Sequence, residues 1–407
     1  MRKRITISTT LILLLASVFI LSAKQDSNSS NENQSERLSD ESLQKEINSN
    51  QSSKIQVVFA LDATGSMAGL IAAAKDKIWS IAGSLAQTDD SIPIELGLIF
   101  YRDKGDAFIT KKVPLTANLD DMYKELMEMN ASGGGDTPES VNKGLFEAVT
   151  QFSWNKDTAV YKAIFLVGDC PPHMDYKDDI KYMESCRLAK QHDIVINTIL
   201  MGNNDEAKKI WKELSVCNGG SFVQMNMKVN DIEVSSPVDD SIAIISDELD
   251  KQRIYYGTAT EKTISSEKMN KSEYISTNSS KEVKAERVSY NISKSGKETY
   301  YGKKELVNDY KKGNIKLEQL TENELPAEMK NMTLEQRKKF VNDKLAKRTE
   351  LEKKLLELDK KRQAYIEKEL AKKDSLTVKN SFNNKIYDDI KSQAAKKNID
   401  LKGKVKY

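Results

Sequence analysis

Three short segments carry side chains whose types and spacing could do chemistry together. Asp62-Ala-Thr64-Gly-Ser66 offers one carboxylate and two hydroxyls at alternate positions. Asp136-Thr137-Pro138-Glu139 follows the glycines 133–135, and Gly168-Asp169 follows an apolar run. Hydroxyls and carboxylates without thiolate or imidazole suit a hard divalent cation, so Mg2+ is expected, with Mn2+ or Ca2+ as substitutes. Thr64, Ser66 and Thr137 would give neutral oxygens; Asp62 and Asp169 would bind the ion or hold its waters. Neutral ligands leave the cation's charge under-compensated, so an Asp or Glu of a protein partner would complete the shell. The glycines let the Thr137 loop come close to the ion, and Pro138 suits the first turn of a following helix. Asp103, Asp106 and Asp136 fall on the rim where such a partner would touch.

Other chemistries are poorly supplied. Two histidines and no HExxH leave no His-based zinc site. GxxxxGK[ST] and GxGxxG are both absent, which removes the commonest nucleotide-binding loops. Asp62 lacks the second acid of an aspartyl-phosphate enzyme, because Thr64 stands there. A hydrolase elbow around Ser66 fails at Thr64, where its first glycine belongs. Cys170 and His173 are separated by Pro171-Pro172 and read as a structural loop, not as a nucleophile and its base. No catalytic residue is expected.

The elements that position these segments follow from hydrophobic pattern. Ile55–Leu61, Ile94–Tyr101 and Ala163–Val167 are near-continuous apolar runs, the mark of strands buried on both faces. Further strands are expected at about 107–113, 194–200 and 221–224. Helical spacing covers 70–85, 119–130, 139–152, 178–191, 205–215 and 238–251. Alternating strands and helices predict an α/β fold, a doubly wound and mostly parallel sheet with helices on both faces. Such sheets bind ligands beyond the carboxyl ends of their strands, where all three segments fall. Trp79 and Trp211 belong to the core, and Trp154 sits in a polar stretch.

Taken together, Asp62-x-Thr64-x-Ser66, Thr137 and Asp169 resemble the metal-ion-dependent adhesion site of the von Willebrand factor type A domain, with Thr64 in place of the first Ser. The resemblance covers about 55–257. It implies that fold, a cation at those five residues and a non-enzymatic binding role. The surroundings, 100–106 and 166–173, are similar to those of bacterial members. Beyond 257, Tyr301-Gly-Lys303, Glu324-Leu-Pro326 and Arg362-x-x-Tyr365 resemble the tail of some exported bacterial members. Some relatives serve larger assemblies beside an ATPase or chaperone, which is the alternative reading.

The chain has 407 residues, room for two or three folding units. Met1-Arg-Lys-Arg4 and the apolar run 11–21 resemble a secretory signal or an uncleaved anchor over 1–23. Export to the periplasm or cell surface is therefore expected. It would let Cys170, Cys186 and Cys217 oxidise, with at most one internal pair. Residues 24–54 are polar and read as a disordered spacer. Residues 258–286 look loosely ordered, and 287–320 give no firm assignment. Thr333 with Gln336 is a capping box opening a helix to about 373, with Arg348 and Arg362 interrupting its apolar side. A helix laid on a neighbour suits that pattern better than a long coiled coil. A last amphipathic helix is expected from Ser381. Lys and Arg total 63 against 61 Asp and Glu, but 325–407 hold 23 against 13. The balanced whole gives no drive toward nucleic acid, while the basic end could touch an anionic envelope or membrane surface.

Overall fold

The computed structural model describes residues 53–86, 92–135, 137–225 and 232–407. The expectations for 1–23 and for nearly all of 24–54 lie outside these. Six strands form one sheet in the order β3-β2-β1-β4-β5-β6. They are β1 (Ile55–Asp62), β2 (Ile94–Tyr101), β3 (Thr110–Thr116), β4 (Tyr161–Gly168), β5 (Val195–Met201) and β6 (Phe222–Met225). All neighbours pair in parallel except β3, an antiparallel edge strand beside β2. β1 and β4 are buried along their whole length, as their unbroken apolar runs require.

Helices cover both faces. α1 (Ala68–Leu85) and α2 (Leu119–Glu128) lie on one, in a core that contains Trp79 and Tyr123. α3 (Val141–Thr150), α4 (Tyr182–Gln191) and α5 (Asp205–Val216) lie on the other, around Leu145 and Trp211. Trp154 is half-buried against this second core and donates its indole N–H to Ala148 O at 2.9 Å. A disulfide joins Cys186 to Cys217, leaving Cys170 a buried thiol.

The chain after α6 (Asp239–Asp250) is helical where loose order was expected. α7 (Ala259–Asn278), α8 (Lys281–Asn291), α9 (Lys294–Tyr301) and α10 (Leu306–Lys312) fill 258–320. Caps start α7 and α8: Thr258 and Glu261 form a capping box, and Ser280 accepts from Val283 N. Neither helix has a broad apolar stripe, so hydrophobic pattern alone misses them. They are held instead by a few apolar residues (Ile275, Val283, Tyr290) that join the α1–α2 core and by buried ion pairs. Arg287 grips both oxygens of Asp120 at 2.7 Å and reaches Asp250 at 3.2 Å.

α11 (Leu334–Leu370) buries Val341, Arg348, Leu355 and Arg362, one residue every seven. The two arginines that interrupt the apolar stripe are themselves part of the buried seam. Arg348 forks onto Glu305 at 2.8 and 2.9 Å, and Arg362 donates to Asp239 at 2.9 Å. α12 (Ser375–Lys379) is exposed, and α13 (Phe382–Ala394) returns to the sheet through Phe382, Ile386 and Ile390. The C-terminal helices thus complete a core that the sheet opens.

Candidate metal site

The sheet reverses its winding between β1 and β4, the place where open α/β sheets leave a crevice at their carboxyl ends. Leu61 pairs with Val167, so Asp62 and Gly168-Asp169 leave adjacent strands side by side. Asp62 is fully buried. Its Oδ1 accepts from Thr64 N at 2.9 Å and from Thr64 Oγ1 at 2.6 Å, and Thr64 Oγ1 lies 3.2 Å from Ser66 Oγ. This local turn brings the carboxylate and both hydroxyls together.

The glycine loop is tied to the same turn. Gly65 N donates to Gly133 O and Ser132 N to Ala63 O, each at 3.0 Å. Arg102 fastens both loops of this junction through Ala63 O at 3.0 Å and Asn130 O at 2.6 Å. Gly134 has φ +70°, and a Cβ there would stand 2.8 Å from both Thr64 Cβ and Glu139 Oε1. A side chain is excluded by backbone angle and by space. Thr137 is exposed, and Pro138 precedes rather than begins the helix, which starts at Val141. Asp136 lies outside the described residues.

Glu139 is the residue sequence reasoning did not single out. It is buried, pinned by its N–H on Pro171 O and its C=O under His173 N, both at 3.0 Å. Three oxygens here are buried without a hydrogen bond: Asp62 Oδ2, Asp169 Oδ1 and Glu139 Oε2. Burial, with the charges of Asp169 and Asp106, pushes the Asp62 carboxyl up to about 7 against the bonds from Thr64. Burial, then Asp62, Asp103, Asp106 and Asp169, pushes Glu139 up to about 9. Unpaired buried acids are costly. A cation is the group that would satisfy them, so these residues fit one. Among the described residues, no three His, Cys, Asp or Glu side chains form a metal-holding group by themselves. A cation here would therefore also draw on the hydroxyls of Thr64, Ser66 and Thr137.

The rim residues are placed differently from expectation. Asp103 is buried, its oxygens taken by Ser140 Oγ and Tyr176 OH at 2.8 Å each, so it is not offered to a partner. Asp106 is partly exposed and accepts from Asp103 N and Gly134 N at 3.1 Å each, holding the glycine loop in place. Cys170 and His173 form no nucleophile pair. The Cys170 thiol is pushed well up by burial and by Asp169, while His173 Nδ1 contacts Asp175 at 2.8 Å.

Residues 56–229 match the von Willebrand factor A domain family. An ariadne-like RING finger protein of Acanthamoeba polyphaga mimivirus is 22% identical over 187 residues, which is 42% of this chain and 18% of that protein. The chain thus spans under a fifth of that relative's length. Similar solved structures include the SpRpn10 VWA domain, with 13% identity, TM-score 0.33, 47% of this chain and 94% of that one. The pilus adhesin SpaC of Lactobacillus rhamnosus GG has 13% identity and TM-score 0.34, with 43% and 28% covered.

Proposed function

We propose, from the premise that residues 56–229 are a von Willebrand factor A domain, that this domain binds a divalent cation at Asp62, Thr64, Ser66, Thr137 and Asp169. Through the ion it captures an acidic side chain of a protein partner, without catalysis. The observation that carries the reading is the pair of orphaned carboxylate oxygens on Asp62 and Asp169, beside two contiguous hydroxyls. Only two acids sit in the five-residue set, so an Mg2+ held there keeps attraction for a third. Ser66 and Thr137 are exposed, which leaves the approach open on their side. Gly65, Ala68 and Gly69 are exposed around Ser66 and present no bulk to an incoming carboxylate. The Cys186–Cys217 disulfide supports an oxidising compartment outside the cytoplasm, in line with the secretory character of 1–23.

Titration calorimetry with Mg2+, Mn2+ and Ca2+, followed by an acidic peptide, tests this. Wild type should bind the ion, and the peptide only in its presence. Asp62→Ala and Thr137→Ala should lose both. Peptide binding that survives EDTA, or ion binding untouched by Asp62→Ala, discards the proposal.

A further inference from the structure

A groove on the C-terminal region lies away from the cation site. It encloses about 840 Å³ between the end of α11, α12 and the extended residues 402–407. Its apolar lining is Ile366, Leu370, Val378 and Val405, part of a small separate core. Five lysines line it against one acid, Glu367: Lys404 meets Glu367 at 3.0 Å, Lys406 turns its ammonium to Asp359 at 3.4 Å, and Lys373, Lys379 and Lys402 complete the rim. α12 beside it is exposed except at the half-buried Val378, and its Leu376 is 65% exposed. An apolar trough with a strongly positive rim is complementary to an anionic amphiphile. An acyl chain would cover the aliphatic floor, and its phosphate would sit among the lysines.

Position favours a lipid of a membrane surface over a soluble ligand. Lys406 N donates to Ser84 Oγ at 2.8 Å, at the last turn of α1. The candidate cation site lies before the first turn of α1, whose 18 residues span roughly 27 Å. α1 runs back from the carboxyl ends of the strands, so the groove lies by the edge where β1 begins at Ile55. At that edge the chain arrives from the apolar run 11–21 through 32 polar-rich residues, 22–53. We infer that this groove binds one anionic phospholipid, setting the lysine-rich end against a membrane and the cation site at the far end of α1. The inference stands apart from the cation reading and requires no metal.

The test uses the full chain, so that the apolar run is common to every arm, in EDTA throughout. Flotation with phosphatidylcholine vesicles is compared with flotation on vesicles containing phosphatidylglycerol. Wild type should prefer the anionic vesicles at least about tenfold, and Lys373→Glu with Lys379→Glu, both exposed, should erase the preference. Calorimetry with monomeric dihexanoyl phosphatidylglycerol then probes the trough: Val378→Asp should weaken binding about tenfold with an unchanged circular dichroism spectrum. Equal binding to both vesicles, indifference to the lysine reversals, or inorganic phosphate binding as tightly as the lipid would each overturn the inference. Val378→Asp without effect would do the same, because a purely electrostatic contact needs no floor.

Discussion

Two of the groups of buried carboxylates among the described residues are built on opposite principles. Where the C-terminal helices meet the sheet domain, Asp120 and Asp250 are met by Arg287 and Arg253, with Ser272 and Tyr300 donating further bonds at 2.7 Å. Burial alone would raise Asp120, but the charge and bonds of Arg287 win and hold it well below the usual carboxylate range. At the carboxyl ends of the strands no cationic side chain among the described residues pairs with Asp62, Asp169 or Glu139, and burial drives Asp62 and Glu139 up. The first group fastens two parts of the chain together. The second carries an electrostatic cost that only a proton or a cation from outside can relieve. A buried acid with its guanidinium is architecture, and a buried acid without one is the better place to look for a ligand.

The largest effect expected from this contrast comes from breaking the satisfied group. Arg287→Met leaves the buried Asp120 without its guanidinium, while Asp250 keeps Arg253 at 2.7 Å. It should cost about 3–5 kcal/mol in urea unfolding, while Mg2+ binding stays within twofold. A loss below about 1 kcal/mol would mean that the pair contributes nothing net.

The pH dependence should separate the two groups next. Asp62 and Glu139 have raised values when folded, so their favourable state is present at acid pH and is lost as pH rises. In EDTA, stability should fall from about pH 4 to about 7 through Asp62 and on toward about 9 through Glu139, by a few kcal/mol in all. Asp120 is lowered, so its contribution is lost only on acidification below its ordinary 3.8. Saturating Mg2+ should flatten the alkaline slope and leave the acid limb unchanged. An alkaline limb indifferent to Mg2+ would contradict the cation reading.

A smaller effect changes sign. Asp62→Asn keeps an acceptor for Thr64 but removes the charge. At pH 8 it should stabilise the EDTA form by about 1–2 kcal/mol and destabilise the protein relative to wild type in Mg2+. Thermal melts with and without the ion read both signs, and one sign in both conditions would break the comparison. The smallest change is a control. Lys339 and Asp343 pair at 2.6 Å on the open face of α11, and Asp343→Asn should shift stability by no more than about 0.5 kcal/mol.

How much of this was legible beforehand depends on how local each signal is. Asp62, Thr64 and Ser66 lie within five residues, so a turn after a buried strand suffices to gather them, and spacing reveals it. Asp169 is similarly given by the end of an apolar strand that the parallel order sets next to β1. Glu139 was hidden because its isolation depends on residues 171–173 folding over it and on no basic side chain arriving. Asp103 was misjudged for the same reason: Ser140 and Tyr176, 37 and 73 positions away, take up its oxygens.

The sequence by itself determined the alternation of strands and helices, the loops at the strand ends and the capped start of α11, because period, caps and glycines act within a few residues. Only the tertiary structure decided that 258–320 is helical and that Arg348 and Arg362 are buried. It alone decided which acids find a guanidinium. Apart from Arg253 with Asp250, three positions apart, those outcomes depend on pairings across 37 to 167 residues, and the energy of a buried charge is set by what stands against it in space, which no local pattern records.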